Sequence, residues 1–146
     1  MSETSLAGLA VQRVTYAALH GALTDPVTSA VVPVVDQPTE TSAFPYVELT
    51  TFIETGRDTF NHTGRSVLAT IDVWSRSGPD AAQDGWGQAR QIAGQIDVLL
   101  HASVHAPSDG WTFVSYLLDT TQDRPLSDGI TRAVTLEYRV LLETTT

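Results

Sequence analysis

The most regular alternation of apolar and polar residues lies in residues 130–143, ITRAVTLEYRVLLE. Apolar side chains on one side of this segment are Ile130, Val134, Leu136, Tyr138, Val140 and Leu142. Polar side chains on the other side are Thr131, Thr135, Glu137 and Arg139. A period of two residues is typical of a β-strand with one buried face and one face toward solvent or a partner. The segment therefore predicts an antiparallel sheet with one solvated or partner-facing side.

Three further segments predict strands of the same sheet: residues 46–53, 66–75 and 111–118. In the first, one face carries Val47, Leu49, Thr51 and Ile53. In the second, one face carries Val67, Ala69, Ile71 and Val73, and the other carries Leu68, Thr70, Asp72 and Trp74. Valine pairs between the prolines of residues 26–38 predict at most a short edge strand near residue 33.

Two segments predict helices. Residues 5–23 are rich in alanine and leucine and are closed by Asp25-Pro26. A second helix is expected from Pro79 or Asp80 to His101. Its apolar residues fall within roughly 140° of arc, and they are Trp86, Ala89, Ile92, Ala93, Ile96, Leu99 and Leu100. One apolar face indicates that this helix covers one sheet.

The predicted fold is α+β, with the element order α-β-β-α-β-β and two helices packed on one face of a small sheet. We expect a mainly antiparallel sheet of about four to five strands. The length of 146 residues suits a single domain, residues 1–146. Two long polar hairpin loops, residues 55–65 and 119–128, are expected to project from the sheet, and loops of this length are often functional.

The composition excludes several classes of function. All 8 basic residues are arginine and are scattered along the chain, against 17 acidic residues, which argues against nucleic-acid binding and membrane-surface binding. The absence of cysteine excludes disulfides, Cys-ligated metal centres and thiol catalysis. We find no export signal and no apolar run of ~18 residues, so we expect a soluble intracellular or particle-borne protein.

One spacing resembles a partial metal site. Asp97, His101 and His105 are four residues apart, and a continuous helix would stack their side chains on one face. Pro107 and the residues before it favour a helix that frays before His105, and no further ligand is evident. A solvated helix end is therefore the favoured interpretation.

Other catalytic patterns are weaker still. The acidic segment 119–128 resembles a calcium loop, but Arg124 stands where the turn requires glycine and Ile130 stands where the loop requires glutamate. The chain has no nucleophile elbow, no glycine-rich phosphate loop and no His-Glu-x-x-His pair. We therefore expect a protein without enzymatic activity, and we predict no catalytic, metal-binding or cofactor-binding residue.

Several short features follow one another along nearly the whole chain. They are Tyr16-Ala17-Ala18-Leu19, Phe44-Pro45-Tyr46-Val47, Ala69-Thr70-Ile71-Asp72-Val73-Trp74-Ser75-Arg76, the helix from Asp80, Asp128-Gly129-Ile130-Thr131-Arg132 and Val134-Thr135-Leu136-Glu137-Tyr138-Arg139. In this combination the chain resembles the tail completion, or tail terminator, family of long-tailed bacteriophages and related gene transfer agents.

The resemblance implies a virion assembly protein that forms a ring, typically a hexamer, on the head-proximal end of the tail tube. Such a ring stops tube polymerisation, contacts the tail tube protein and the head completion or connector protein, and lets the genome DNA pass without specific binding. It implies a location in the virion, and in the host cytoplasm during assembly. The alternatives are a head-side connector or stopper, a tail-tube subunit, or a small ligand-binding or metal-dependent enzyme that uses His101 and His105.

The candidate assembly residues are Arg57, Asp58, Phe60, Arg65, Trp74, Asp123 and Arg124. The first four lie in the glycine-bracketed loop 55–65, whose one aromatic side chain suits contact with the tube or a neighbouring subunit. Trp74 and the unassigned apolar positions of the first helix suit either the flanks of a head-to-tail ring or the core. The last two lie in the predicted loop 119–128.

Overall fold

The computed structural model describes residues 6–36, 44–61, 63–76, 85–127 and 130–144. In these ranges two helices and five strands follow one another as α1 (Ala7–Leu19), β1 (Val34–Val35), β2 (Tyr46–Gly56), β3 (Gly64–Arg76), α2 (Gly85–Leu100), β4 (Trp111–Pro125) and β5 (Thr131–Thr144). The structure confirms the α+β class and the predicted order of the longer elements, with β1 as a short extra strand. The predicted start of the second helix, residues 79–84, lies outside the described residues.

The five strands form one mixed sheet in the order β1-β2-β3-β5-β4. β1 runs parallel to β2, and the other neighbouring strands are antiparallel. The strand with the most regular alternation, β5, lies in the interior between β3 and β4. Its alternate apolar residues are buried, as the period of two predicted, and they are Val134, Leu136, Tyr138, Val140 and Leu142. Ile130 lies before the strand and is 47% exposed, so its predicted place on this face is wrong.

The two helices contact each other and cover one side of the sheet, α1 over β2 and β3 and α2 over β3 and β5. The apolar face predicted for the second strand lies in this core and consists of Val67, Ala69, Ile71 and Val73. The buried face of α2 consists of Ala89, Ile92, Ala93, Ile96 and Leu100. Neither helix, within the residues described, is long and apolar enough to cross a membrane.

Helix α1 is shorter than the predicted residues 5–23. It ends at Leu19, and the following His20 adopts an extended conformation. Leu23 is nevertheless fully buried, because the chain folds back through a bridge between Thr24 and Val31. The predicted helix was too long because the segment after Leu19 is also rich in alanine and leucine. In the structure that segment is a loop, and its Leu23 side chain packs in the core.

A β-bulge in β2 reverses part of the predicted burial pattern. The register against β3 shifts between Leu49 and Thr51. Phe52 therefore packs against the core, whereas Ile53 is 58% exposed. An extra residue in one strand moves all later side chains to the opposite face, so the prediction that Thr51 and Ile53 share the core face with Leu49 is wrong.

Both predicted hairpin loops are shorter than expected. β2 continues to Gly56 and β3 begins at Gly64, which leaves residues 57–63 as the first connection. β4 continues to Pro125, which leaves residues 126–130 as the second. Most of the segment 119–128 is therefore strand and not loop. Residues 119–125 of this edge strand are exposed or half-buried, so their polar composition gave the same signal as a loop.

Tyr116 and Tyr138 lie in the core, with ring centroids 5.3 Å apart. The hydroxyl oxygens of Tyr116 and Thr15 are 2.7 Å apart, and the Tyr138 hydroxyl donates to Asp97 Oδ1 at 2.9 Å. Burial raises the pKa of both phenols. The hydrogen bond to Asp97 and the negative charge of that carboxylate raise the pKa of Tyr138 further.

We expect the free energy of unfolding to fall as the pH rises above about 10, where tyrosines of the unfolded chain begin to ionise. A raised pKa in the folded state keeps both phenols neutral there, so deprotonation favours the unfolded chain. Below that range both states hold the protons and these groups contribute no pH dependence. Urea unfolding from neutral to alkaline pH measures the effect. Tyr116→Phe should make the alkaline decline in the free energy of unfolding shallower. An unchanged decline would contradict a raised pKa of Tyr116 in the folded chain.

Candidate functional site

A polar cluster lies on the sheet face opposite the helices. It consists of Thr50, Asp72, Arg124 and Thr135 and is called the Asp72 cluster below. Asp72 is only 4% exposed. It accepts hydrogen bonds from Thr50 Oγ1 at 2.6 Å, Thr135 Oγ1 at 2.5 Å and Arg124 Nη2 at 3.0 Å. Charge pairing and three hydrogen bonds make a buried carboxylate tolerable at this position.

Trp74 extends this cluster toward the β2 edge. Its indole Nε1 donates to Glu48 Oε1 at 3.1 Å, and its ring stacks on that of Tyr46 with centroids 6.3 Å apart. The Arg124 guanidinium lies 5.7 Å from the Trp74 ring centroid. Two predicted assembly residues, Trp74 and Arg124, are therefore brought together on the sheet face that neither helix covers. Sequence reasoning missed Asp72, for which the available signal was a carboxylate in the middle of an apolar strand.

Asp123 and Arg124 are separated although they are neighbours in sequence. As successive residues of a strand they point to opposite faces of the sheet. Asp123 forms an ion pair with Arg90 of α2 on the helix side, whereas Arg124 binds Asp72 on the other side. The prediction that both residues belong to one projecting loop is wrong, because β4 extends through them.

The base of the loop 57–63 is anchored by ion pairs. Arg65 Nε donates to Glu54 Oε2 at 3.1 Å, and Arg65 Nη1 donates to Asp58 Oδ1 at 3.0 Å. The Glu54 carboxylate also accepts from the backbone N–H groups of Ala7 and Gly8 at 3.1 and 2.8 Å. These N–H groups lie in the first turn of α1, where the helix itself provides no acceptor for them. A carboxylate is favourable at this end of a helix. Arg65 and Asp58 therefore hold the loop to α1.

Arg57 and Phe60 remain available at the surface of the loop. The Phe60 side chain is fully exposed to solvent. Arg57 is exposed, and its guanidinium has no ion pair with any residue that the structure describes. The four predicted loop residues thus divide into an internal pair and an exposed pair, and only Arg57 and Phe60 can meet a partner without breaking an internal contact.

Gly64 closes this loop and has no room for a side chain. A Cβ at this position would lie 2.9 Å from the Arg57 carbonyl oxygen, and the Arg57 N–H donates to the Gly64 carbonyl at 2.9 Å. We expect Gly64→Ala to lower the free energy of unfolding by about 1–3 kcal/mol, because the contact is with backbone. Urea unfolding gives the value. Gly56→Ala is the matched control, since a Cβ there meets nothing within 4 Å, and equal losses in the two variants would contradict the proposed clash.

The residues of the metal-site hypothesis face separate partners. Asp97 accepts from the Tyr138 hydroxyl, and His101 Nδ1 accepts from the Leu118 N–H at 2.9 Å. The His105 ring packs against the Tyr116 ring with centroids 5.0 Å apart. Helix α2 ends before His101, so the spacing of four residues does not continue as helix. Among the residues that the structure describes, no group of three histidine, aspartate or glutamate side chains is placed to hold a metal ion.

Comparisons with known proteins give one family and one solved fold. The family model described as "Tail completion protein gp17" matches residues 17–143. A chain of the solved structure described as "Virion of native gene transfer agent (GTA) particle" has the same fold, with a TM-score of 0.76 and 19% sequence identity. The similarity covers 95% of this chain and 99% of that chain. No curated protein matches the sequence.

Proposed function

Because the chain belongs to the tail completion protein family, we propose that it forms a ring at the head-proximal end of a phage-type tail tube. The ring ends polymerisation of the tube and joins the finished tail to the head. In this proposal the chain acts as a single domain, without catalysis. The family match over residues 17–143 is the observation that carries the proposal.

The sheet supports a head-to-tail ring because its two edges differ. One edge is formed by β2 with the two-residue strand β1, and the other edge is formed by the 15-residue strand β4. Contacts between two different surfaces of identical subunits generate rings when the rotation closes. We propose a hexamer. In such a ring the two different edges of each sheet contact the two neighbouring subunits.

Two surfaces are proposed to make assembly contacts. The first is the loop 57–63, through the exposed side chains of Arg57 and Phe60. The second is the sheet face that carries the Asp72 cluster and Trp74, which neither helix covers. The tail tube protein and the head completion or connector protein are the proposed partners outside the ring.

The charge of the chain suits a passage for DNA. With 8 basic and 17 acidic residues the formal net charge is −9. Affinity for nucleic acid depends on neutralising phosphates with clustered basic side chains. We therefore propose that genome DNA passes the ring without specific binding.

Cryo-EM of purified particles tests the position and the ring. We expect a closed ring of copies between the last tube ring and the head, with the β2 edge of each copy next to the β4 edge of its neighbour. Copies found inside the head vertex would support a head-side connector instead. Copies repeated along the tube would support a tail-tube subunit, and either outcome would contradict the proposed position.

A further inference from the structure

A groove separates α2 from β4 on the helix-bearing side of the sheet. It has a volume of about 350 Å³ and an apolar floor formed by Leu118, Val134 and Leu136. α2 lies over β3 and β5 and makes few contacts with β4, which leaves this space open. Gly94 forms part of the α2 wall, and a Cβ there would meet nothing within 4 Å. The volume is within the range of about 300–1,000 Å³ that is usual for ligand sites.

The edge of β4 beside this groove offers main-chain hydrogen bonds. The Ala102 N–H donates to the Tyr116 carbonyl at 2.7 Å, so the main chain at Tyr116 faces away from β5. Main-chain groups alternate in direction along an antiparallel strand. The register against β5, with its shift after Leu118, puts Thr121 and Asp123 in the same outward orientation. Within the ranges that the structure describes, the outward main-chain groups of Thr121 and Asp123 have no backbone partner.

The groove also carries acidic groups. Asp97 and Asp123 both line it, and Arg90 pairs with Asp123 at one end. The carboxylate of Asp97 accepts a hydrogen bond from the Tyr138 hydroxyl and has no basic partner among the described residues. The groove therefore suits an extended segment that combines an apolar side chain with a basic one.

The loop 57–63 has this combination of side chains. Phe60 is fully exposed, and burial of an aromatic ring is a large favourable contribution to an interface. Arg57 is exposed without an ion pair in the described part of the chain, and its positive charge is complementary to the acidic groove. Asp58 of the same loop pairs with Arg65, so within the described residues Arg57 is the charge of the loop without an ion pair, as Asp97 is in the groove. The loop and the groove are therefore complementary in both polarity and charge.

The strand register shows which copy of the loop reaches the groove. The loop lies at the end of the sheet where Gly64 pairs with Glu143 of β5, whereas the groove floor includes Leu136, which is farther along β5 by about 23 Å at ~3.3 Å per residue. A loop that reaches the groove therefore comes from another copy of the chain. The contact joins different surfaces of two copies, which is the head-to-tail arrangement of a cyclic ring.

We propose that the groove between α2 and β4 receives the loop 57–63 of a second copy of this chain, with Phe60 over its apolar floor and Arg57 toward Asp97. This contact rests on the proposed function, because it is the contact that repeats around the ring. It assigns the loop to the neighbouring subunit, and it leaves the sheet face with the Asp72 cluster for other neighbours.

Filling the groove tests the contact. Gly94→Leu places a side chain in the groove, and Gly94→Ala is the matched control. Both replace a helix-interior glycine, so neither is expected to lower the Tm of the free chain. Each variant replaces the wild-type protein in the producing cells. We expect Gly94→Leu to reduce the number of particles with tails joined to heads by about tenfold relative to Gly94→Ala. Equal numbers for the two variants would overturn the proposal.

Crosslinking tests the pairing of the two surfaces. The chain has no cysteine, so an introduced pair reports only on itself. Asn61→Cys lies beside Phe60, and Thr121→Cys lies on the rim of the groove. With a short bis-maleimide, particles that carry both changes should give a ladder of covalent multimers. The control pair combines Asn61→Cys with Val31→Cys, which is also exposed but lies next to the β1 edge, and it should give monomers.

The outcomes separate this inference from the proposed function. A ring visible in the particles without a ladder for the Asn61 and Thr121 pair overturns the groove contact and leaves the proposed function intact. A ladder of equal strength for the Val31 control also overturns it, because the contact is then not specific to the groove. Tails that carry no copy of the chain contradict the proposed function, and the inference fails with it.

Discussion

Replacing Arg124 by methionine is expected to lower the free energy of unfolding by about 3 kcal/mol at neutral pH, because a buried carboxylate loses its cation. Asp72 is buried, and among the described residues its one ion pair is with Arg124. The hydrogen bonds from Thr50 and Thr135 remain, and the Arg124 side chain is 40% exposed. Water therefore replaces part of the lost interaction, which places the expected loss at the low end for buried pairs.

Arg139→Met is the matched control for this prediction. Arg139 also lies on a strand and pairs with Asp119, but at 3.7 Å and with both side chains about half exposed. Exposed ion pairs contribute about 0–1 kcal/mol, so the control should lose little stability. Urea unfolding of the two variants gives the comparison. Similar losses for Arg124→Met and Arg139→Met would contradict a stabilising role of the Asp72 cluster.

A double-mutant cycle identifies the partner. If Arg124 acts on stability through Asp72, the combination of Arg124→Met with Asp72→Asn should cost less than the two single changes added together. Methionine retains the packing of the side-chain stem, so the cycle reports mainly on charge. Strictly additive losses would show that the two residues stabilise the chain independently.

Arg57→Ala combined with Phe60→Ala is expected to reduce the yield of joined particles by about two orders of magnitude or more. An aromatic side chain at the centre of an interface typically contributes at least ~2 kcal/mol, and a ring repeats the contact in every subunit. Both side chains are exposed in the chain itself, so the Tm of the free protein should not change. Particle counts by electron microscopy and the Tm of the purified variant measure the two effects.

Two control variants separate contact from folding. Thr59→Ala changes an exposed residue of the same loop and should leave the particle yield near the wild-type value. Arg65→Ala removes the ion pairs with Glu54 and Asp58, so it should lower the stability of the free chain. Normal particle yield for the Arg57 and Phe60 variant would exclude this loop from assembly contacts, including the groove contact.

The sequence predicted those parts of the fold that have a strict period. The alternation in β3 and β5 and the apolar face of α2 arise because one side of each element is buried in the core. The bulge in β2 was not predictable in this way, since the inserted residue changes the register without changing the residue types. The length of β4 was missed for a different reason, because residues 119–125 are polar on an exposed edge strand.

The candidate site was predicted only in part. Exposure of Arg57 and Phe60 agrees with a glycine-bracketed polar loop, but the internal role of Arg65 depends on Glu54 and α1, which are distant in sequence. The contact between Trp74, Arg124 and Asp72 depends on the pairing of β3, β5 and β4. Pairings of this kind are set by the sheet order, which alternation alone does not give.

The most direct test of the tail-terminating role is the length of tails made without this protein. Electron microscopy of lysates from producing cells that lack the gene gives the distribution of tube lengths and the number of tubes joined to heads. If the protein ends tube polymerisation and forms the joint, tubes should be overlong and variable in length, with no heads attached, and the wild-type gene supplied in trans should restore both features. Tubes of uniform normal length joined to heads would contradict this role.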